Sequence, residues 1–396
     1  MKKIASLFLA TAMVASLLVG CGDAAATSDS AASTESAGAA TDGAAFKIGG
    51  IGPITGGAAV YGTAVKNAAQ IAVDEINEAG GINGTPIEYR FEDDEHDAEK
   101  SVNAYNTLKD WNMQILMGTV TSTPSIAVSE KTKEDNMFQL TPSGSAVACV
   151  QYDNAFRVCF SDPNQGTKSA QYIGENKLAT KVAVIFDSSD VYSSGIKDTF
   201  VAEAPNQGIE VVAEGSFTAD NKTDFTTQLL QAKDAGAELV FLPIYYQEAT
   251  LILSQANSMG YAPLFFGCDG LDGILAVENF DKSLAEGVML LTPFAADSAD
   301  EATQAFVAKY QEKYGETPNQ FAADAYDAIY AIKAAIEQSG ATADMSVSDL
   351  CEALKKGITE IELNGLTGEG MTWTADGEVN KAPKAVKIVD GVYTAM

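Results

Sequence analysis

Of the 396 residues, 46% are apolar, enough for sizeable cores, and the stretch beyond residue 45 is too long for one typical domain. Acidic residues number 54 against 25 Lys and Arg, a formal net charge of −29, which excludes nucleic acid as a partner because phosphate binding is driven by Lys and Arg. Five cysteines are too few for a disulfide scaffold, and a single histidine without paired cysteines excludes the common zinc patterns and argues against a catalytic triad.

At the start of the chain, Lys2 and Lys3 precede an apolar run from Ile4 to Val19, the charged start and short hydrophobic stretch of a secretory signal peptide. The run is shorter than a transmembrane anchor needs. It stops at Leu18-Val19-Gly20-Cys21, which resembles the lipobox of bacterial lipoproteins. That resemblance implies a signal peptide over 1–20, an acylated Cys21 as the mature first residue, and lipid anchoring to the outer face of the cell membrane. Residues 21–45, mostly Ala, Ser, Thr, Gly and Asp, bury too little apolar surface to offset their ordering entropy, so they form a flexible linker.

The body opens with a short strand over Phe46 to Ile51, then a helix from Ala58 to Ala79 on which Tyr61, Ala64, Ala68, Ala72 and Ile76 recur at helical spacing. Gly80 and Gly81 stop it, and Asn83-Gly84 turns the chain into a strand over Ile87 to Asp93. A helix at Ala98 to Trp111, a strand at Ile115 to Gly118, a helix at Ser125 to Asp135 and a strand at Met137 to Leu140 continue the alternation of a parallel α/β sheet. After Phe156 to Phe160 a second series repeats the plan, with strands at Val182 to Phe186, Glu210 to Ala213, Leu239 to Pro243, Leu264 to Gly267 and Gly287 to Leu291. Long helices follow at Glu301 to Tyr314 and Phe321 to Gln338, then Asp349 to Lys356, and short strands at Met371 to Trp373 and Ala385 to Val389. Cys149 and Cys159 bracket a short loop; a bridge and two buried thiols are the alternatives there.

The glycine-rich turn Gly49 to Gly57 lacks the third glycine of a dinucleotide fingerprint, with Thr55 in its place, so no cofactor is expected. His96 sits in the acidic stretch Glu92 to Asp97, which lacks a calcium-loop spacing and reads as a solvated loop without a metal. Two hydroxyl-rich turns are more informative. Gly118 to Pro124, containing Val120, Thr121 and Ser122, and Thr141 to Ser145, containing Ser143, Gly144 and Ser145, both follow strands at the edge where open α/β sheets bind ligands. Helix-start N–H groups and hydroxyls converging there suit a small carboxylate. In the second series Asp269, Tyr192 and Tyr245 follow three strands, and one carboxylate among aromatic rings suits the ammonium and apolar side chain of a zwitterion.

Ile51-Gly52-Pro53-Ile54-Thr55-Gly56, Tyr61-Gly62, Asn77 to Gly84, Phe156-Arg157 and Gln165-Gly166 resemble the branched-chain amino acid binding family of type I periplasmic binding proteins. The resemblance covers the body from Lys47 onward. It implies an α/β, two-lobed type I periplasmic-binding fold, each lobe a mostly parallel sheet flanked by helices, with crossovers near Ser161, Thr292 and Thr374. The lobes would comprise 46–161 with 293–373, and 162–292 with 374–396. Ser122 and Ser145, with backbone near Val120 and Ser143, would hold a ligand carboxylate. Asp269 would take the ammonium where the family has glutamate, while Tyr61, Val120, Phe321 and Tyr192 would line the side-chain pocket. His96 and Thr121 stand where the family has a disulfide. The implied role is a monomeric, non-enzymatic solute-binding protein that delivers an amino acid, branched-chain, apolar or aromatic, to a membrane-embedded ABC permease. A sensor of the same fold signalling to a membrane receptor, a binder of another carboxylate or amide, and an exported hydrolase are the alternatives.

Overall fold

The computed structural model describes residues 45–396. The signal segment, Cys21 and the linker up to residue 44 lie outside the described residues.

The first sheet has five parallel strands in the order β2-β1-β3-β4-β5: β1 (Phe46–Gly52), β2 (Ile87–Asp93), β3 (Ile115–Gly118), β4 (Phe138–Thr141) and β5 (Ala155–Arg157). Strands β3 and β4 are buried along their whole length, as parallel strands covered on both faces must be. Helices α1 (Ala59–Glu78), α2 (Ala98–Asp110) and α3 (Ser122–Asp135) connect them. On α1 the buried positions Tyr61, Ala64, Val65, Ala68, Ala72 and Ile76 form one apolar stripe, and the helix ends where Gly81, at φ +79°, donates its N–H to the Ile76 carbonyl.

The second sheet has seven strands in the order β12-β11-β10-β9-β8-β6-β7. Its parallel part comprises β6 (Lys181–Asp187), β7 (Glu210–Phe217), β8 (Leu239–Leu242), β9 (Leu264–Gly267) and β10 (Met289–Thr292). Helices α4 (Asp162–Glu175), α5 (Val191–Glu203), α6 (Thr226–Asp234) and α7 (Tyr246–Ser258) lie between them. After β10 the chain returns through α8 (Glu301–Tyr314), α9 (Gln320–Ser339) and α10 (Val347–Glu360) to pack on the first sheet's side, α9 lying along α1 and α10 against β4. It then crosses back to add β11 (Lys384–Val389) and β12 (Val392–Ala395), both antiparallel. The chain therefore passes between the sheets three times.

Three local readings change. Residues 371–373 form no strand but contribute isolated bridges, Leu363 with Met371 and Trp373 with Val379. The strand β12 was not anticipated, although Asp390 and Gly391, at φ +51° and +74°, make the two-residue turn that an Asp-Gly pair favours. Helix α3 starts at Ser122 rather than Ser125, because Pro124 falls inside the first turn, where its missing N–H costs nothing. Cys149 and Cys159 are free, buried thiols.

Gly62 marks the closest approach in the fold. A Cβ there would stand 1.9 Å from the Pro53 carbonyl oxygen, so the turn after β1 fits against α1 only without a side chain. Alanine in a helix ordinarily gains about 1 kcal/mol over glycine. At this position the expected result is the reverse, a loss of about 1–3 kcal/mol in Gly62→Ala measured by urea unfolding.

Candidate ligand cleft

The turns that carry the predicted residues meet at the carboxyl ends of strands from both sheets, the position where open α/β sheets hold ligands. From the first sheet's side come Val120, Thr121 and Ser122 after β3, Ser143 after β4, Tyr61 from α1 and Phe321 from the first turn of α9. From the second come Tyr192 at the start of α5, Tyr245 after β8, and Asp269 with Gly270 after β9. The cleft is closed down to about 10 Å³, room for about one water molecule. A larger open concavity of about 560 Å³ lies at the opposite edge of the first sheet beside Lys47, Gln114 and Met137, and its Lys109 is paired with Asp135 at 2.6 Å. Size alone would favour that concavity, but the convergent hydroxyls and the buried carboxylate are in the small cleft.

One wall presents an uncapped helix start and hydroxyls. Thr121 occupies the capping position of α3 without capping it, so the positive end of that helix opens toward the cleft. The Ser122 hydroxyl accepts from the Ala146 N–H at 3.2 Å and the Ser143 hydroxyl donates to the Val120 carbonyl at 2.6 Å, which ties the two turns together.

The facing wall carries Asp269, 3% exposed. Its Oδ1 accepts from the Tyr192 hydroxyl at 2.6 Å and its Oδ2 from the Gln165 amide at 3.0 Å, while its own N–H donates to the Gln165 side-chain carbonyl at 3.2 Å. Burial pushes its carboxyl up to about 7; the Tyr192 hydroxyl opposes that and Asp324 adds to it. Among the described residues no lysine or arginine pairs with it. Burial likewise raises Asp162, Asp190, to about 6, and Asp272, to about 7. Asp269 thus has neutral hydrogen-bond donors but no cationic partner among the described residues.

Between the walls the surface is aromatic. The Tyr61 and Phe321 rings lie 4.2 Å apart, Tyr61 stands edge-on to Tyr245 at 5.5 Å, and Tyr245 stacks on Tyr192 at 5.0 Å. Several bonds join the two sides directly. The Tyr61 hydroxyl donates to the Gly270 carbonyl at 2.5 Å and accepts from the Tyr246 N–H at 3.2 Å, and Asp272 Oδ2 accepts from the Gln320 N–H at the start of α9 at 2.7 Å.

Gly144 and Ser145 are not among the residues lining the closed cleft. Their carbonyls accept from the fully buried guanidinium of Arg157, which also serves Ala146 at 3.0 Å and pairs with Glu378 at 3.3 Å. Among the described residues the Ser145 hydroxyl is buried without a hydrogen-bond partner. Sequence reasoning assigned no role to Arg157, although it stood in a quoted segment, and it missed Gly270 and Gln165. The acidic loop is also different from its solvated reading: Asp94 is fully buried, and His96 is half-buried with Nδ1 2.9 Å from Thr121 Oγ1 and its ring edge-on to Tyr245 at 5.4 Å.

Two lobes linked by three crossings, with a hydroxyl-rich helix start and a carboxylate lacking a cation facing each other across a closed cleft, are the plan of a solute-binding protein. A family model described as periplasmic binding protein matches residues 45–391, and the chain belongs to that family as a type I member of its branched-chain amino acid binding group. Among its relatives, Leu/Ile/Val-binding protein homolog 3 of Brucella melitensis is 33% identical over 302 residues, covering 75% of this chain and 80% of the relative. The leucine-, isoleucine-, valine-, threonine-, and alanine-binding protein of Pseudomonas aeruginosa is 27% identical over 81% of this chain and 84% of its own length. In structure the chain is similar to the branched-chain amino acid transporter substrate-binding protein LivJ of Streptococcus pneumoniae in complex with isoleucine, with TM-score 0.80, 28% identity and coverage of 89% and 98%. It is also similar to the leucine-binding protein LivK of Thermotoga maritima, with TM-score 0.79, 26% identity and coverage of 88% and 97%.

Arg157 gives a direct test of how the hydroxyl-bearing wall is held. A lysine has one ammonium and no planar fork, so it cannot serve the same set of carbonyls. Arg157→Lys should lose about 2–4 kcal/mol of stability in urea titration, the cost of leaving buried acceptors unpaired.

Proposed function

We propose that the protein is the extracytoplasmic solute-binding component of an ABC importer and encloses an apolar α-amino acid, leucine, isoleucine or valine first among them. The observation that carries this is the pairing of opposites: an uncapped helix start with hydroxyls on one wall, and on the other the buried carboxylate of Asp269 with no cation. An α-amino acid brings a carboxylate to the first and an ammonium to the second, and the rings of Tyr61, Phe321, Tyr192 and Tyr245 offer its side chain an apolar surface. The names of the relatives, and the isoleucine of the pneumococcal structure, support the choice of ligand. In this proposal residues 46–161 with 293–373 and residues 162–292 with 374–396 are the two bodies that hinge apart to admit it. The protein acts as a monomer and catalyses no reaction. Residues 1–20 direct export, and Cys21 carries the lipid that keeps the protein on the outer membrane face beside its permease.

Leucine, isoleucine and valine should raise the melting temperature of the ligand-stripped body, since binding to the folded state stabilises by about 2.7 kcal/mol at a hundredfold excess over Kd. No shift across a full amino-acid panel would remove the assignment. Asp269→Asn should weaken leucine binding several-hundredfold or more by calorimetry, the effect of removing one partner of a desolvated pair at about 3–5 kcal/mol. The pH dependence has a definite sign. The free carboxyl titrates at about 7 and the bound ammonium lowers it, so affinity is full above that pH and falls below it, by up to about tenfold per unit. Asp269→Asn should abolish that slope; a slope that persists would place the titration elsewhere.

Cys21→Ser should release the protein from membranes and leave leucine affinity unchanged, because the acyl chains are the proposed attachment. Retention of the serine variant on membranes from cells lacking the importer would contradict the anchor.

A further inference from the structure

Thr121 stands at the capping position of α3 with extended backbone angles, φ −110° and ψ 155°. A threonine in that place ordinarily turns its hydroxyl onto a backbone N–H two or three residues ahead. Here Pro124, three residues ahead, has no N–H, which leaves the Thr123 N–H as the available target. The hydroxyl does not take it: Thr121 makes no side-chain cap, and its Oγ1 lies 2.9 Å from His96 Nδ1.

His96 is held in place from three directions. Its backbone is left-handed at φ +61°, its N–H donates to Asp94 Oδ1 at 2.9 Å, and its ring meets the edge of Tyr245 from the opposite side of the cleft. Burial lowers its pKa to about 4, with Lys222 acting in the same direction and Asp187 and Asp97 against it, so the imidazole is neutral at physiological pH. The contact fits either tautomer; with the ring protonated at Nε2, Nδ1 is the acceptor and the Thr121 hydroxyl its donor.

We propose that His96 is a positioning residue for the ligand's carboxylate: by drawing the Thr121 hydroxyl toward its ring it holds that side chain turned away from the start of α3, so that it does not cap the helix, and keeps the N–H groups of Ser122 and Thr123 open to the ligand. This rests on the carboxylate end of the ligand meeting that turn. It gives the chain's one histidine a role that neither a surface loop nor a metal site would need.

The test is a double-mutant cycle of His96→Asn and Thr121→Val, titrated with L-leucine. Asparagine tolerates the left-handed backbone but loses the ring. With threonine at 121, His96→Asn frees the hydroxyl to cap the helix, and the ligand must displace it, so leucine affinity should fall about fivefold to tenfold. With valine at 121 nothing can cap, and the same histidine change should cost less than about twofold, whatever the valine does by itself. Equal losses in both backgrounds, or no loss with threonine, would overturn the role of His96 alone. Failure of the wild-type protein to bind leucine would instead overturn the reading of the cleft, and this role with it. A second measurement needs no ligand and no histidine variant. Because the chain has a single histidine, its imidazole nitrogen resonances assign themselves. At pH 7 Nδ1 should show the signal of a hydrogen-bonded acceptor in a neutral ring and should shift in Thr121→Val. An unmoved resonance would overturn the pairing.

Discussion

Burying a carboxylate without a cation costs far more than burying a paired one, and much of the cleft is arranged around that cost at Asp269. Two neutral donors, Tyr192 and Gln165, hold its oxygens and fix its direction but supply no countercharge. The carboxyls of Asp162, Asp190 and Asp272 are also raised by burial, so the shut, empty cleft favours their protonated forms over their charged ones. Under the proposed function a ligand ammonium would favour the ionised carboxylate of Asp269, most strongly in a shut cleft, so zwitterion selectivity and the coupling of binding to closure would share one origin.

The positive side chains that are buried near the cleft are committed elsewhere. Arg157 is spent on the carbonyls of Gly144 and Ala146 and on Glu378. Lys381 pairs with Asp324 at 2.8 Å and donates to Thr367, tying the last crossing segment to α9. Asp327, one turn on, accepts from the N–H groups of Leu366 and Thr367 at 2.8 and 2.9 Å. These bonds fix where the chain recrosses between the sheets, and they leave Asp269 unneutralised. Placement of the cations thus bears both on where the chain recrosses and on the electrostatics of the cleft.

Much of this was legible along the chain. Periodicity and glycine stops marked the strand and helix units, and each turn that lines the cleft directly follows a strand or opens a helix, which is why position alone selected Ser122, Ser143, Tyr192, Tyr245 and Asp269. Distant packing was not legible. Asp94 and His96 looked solvated because local composition is acidic, yet their burial depends on Thr121 and on Tyr245, 25 and 149 residues away from His96. Gln165 stood in a segment that carried the family resemblance, but nothing local pointed to its meeting Asp269 across 104 residues, and Gly270 contributes through its backbone, which left no signal. The early start of α3 was hidden by Pro124, which reads as a boundary although it is harmless in a first turn.

The bonds that join the two sides of the cleft without any ligand have a thermodynamic meaning of their own. Tyr61 to Gly270, Tyr246 to Tyr61 and Gln320 to Asp272 are made wholly by the chain, and all are lost when the sides part. They add to the stability of the shut arrangement, and because the proposed solute-loaded cleft is shut too, strengthening them would favour the loaded state over the open one. Affinity can therefore be tuned at Gln320 and Asp272, outside the contact surface of the solute, while the preference for one side chain over another stays where the aromatic rings put it. Capture strength and chemical selectivity are separate dials in this fold, set by different residues.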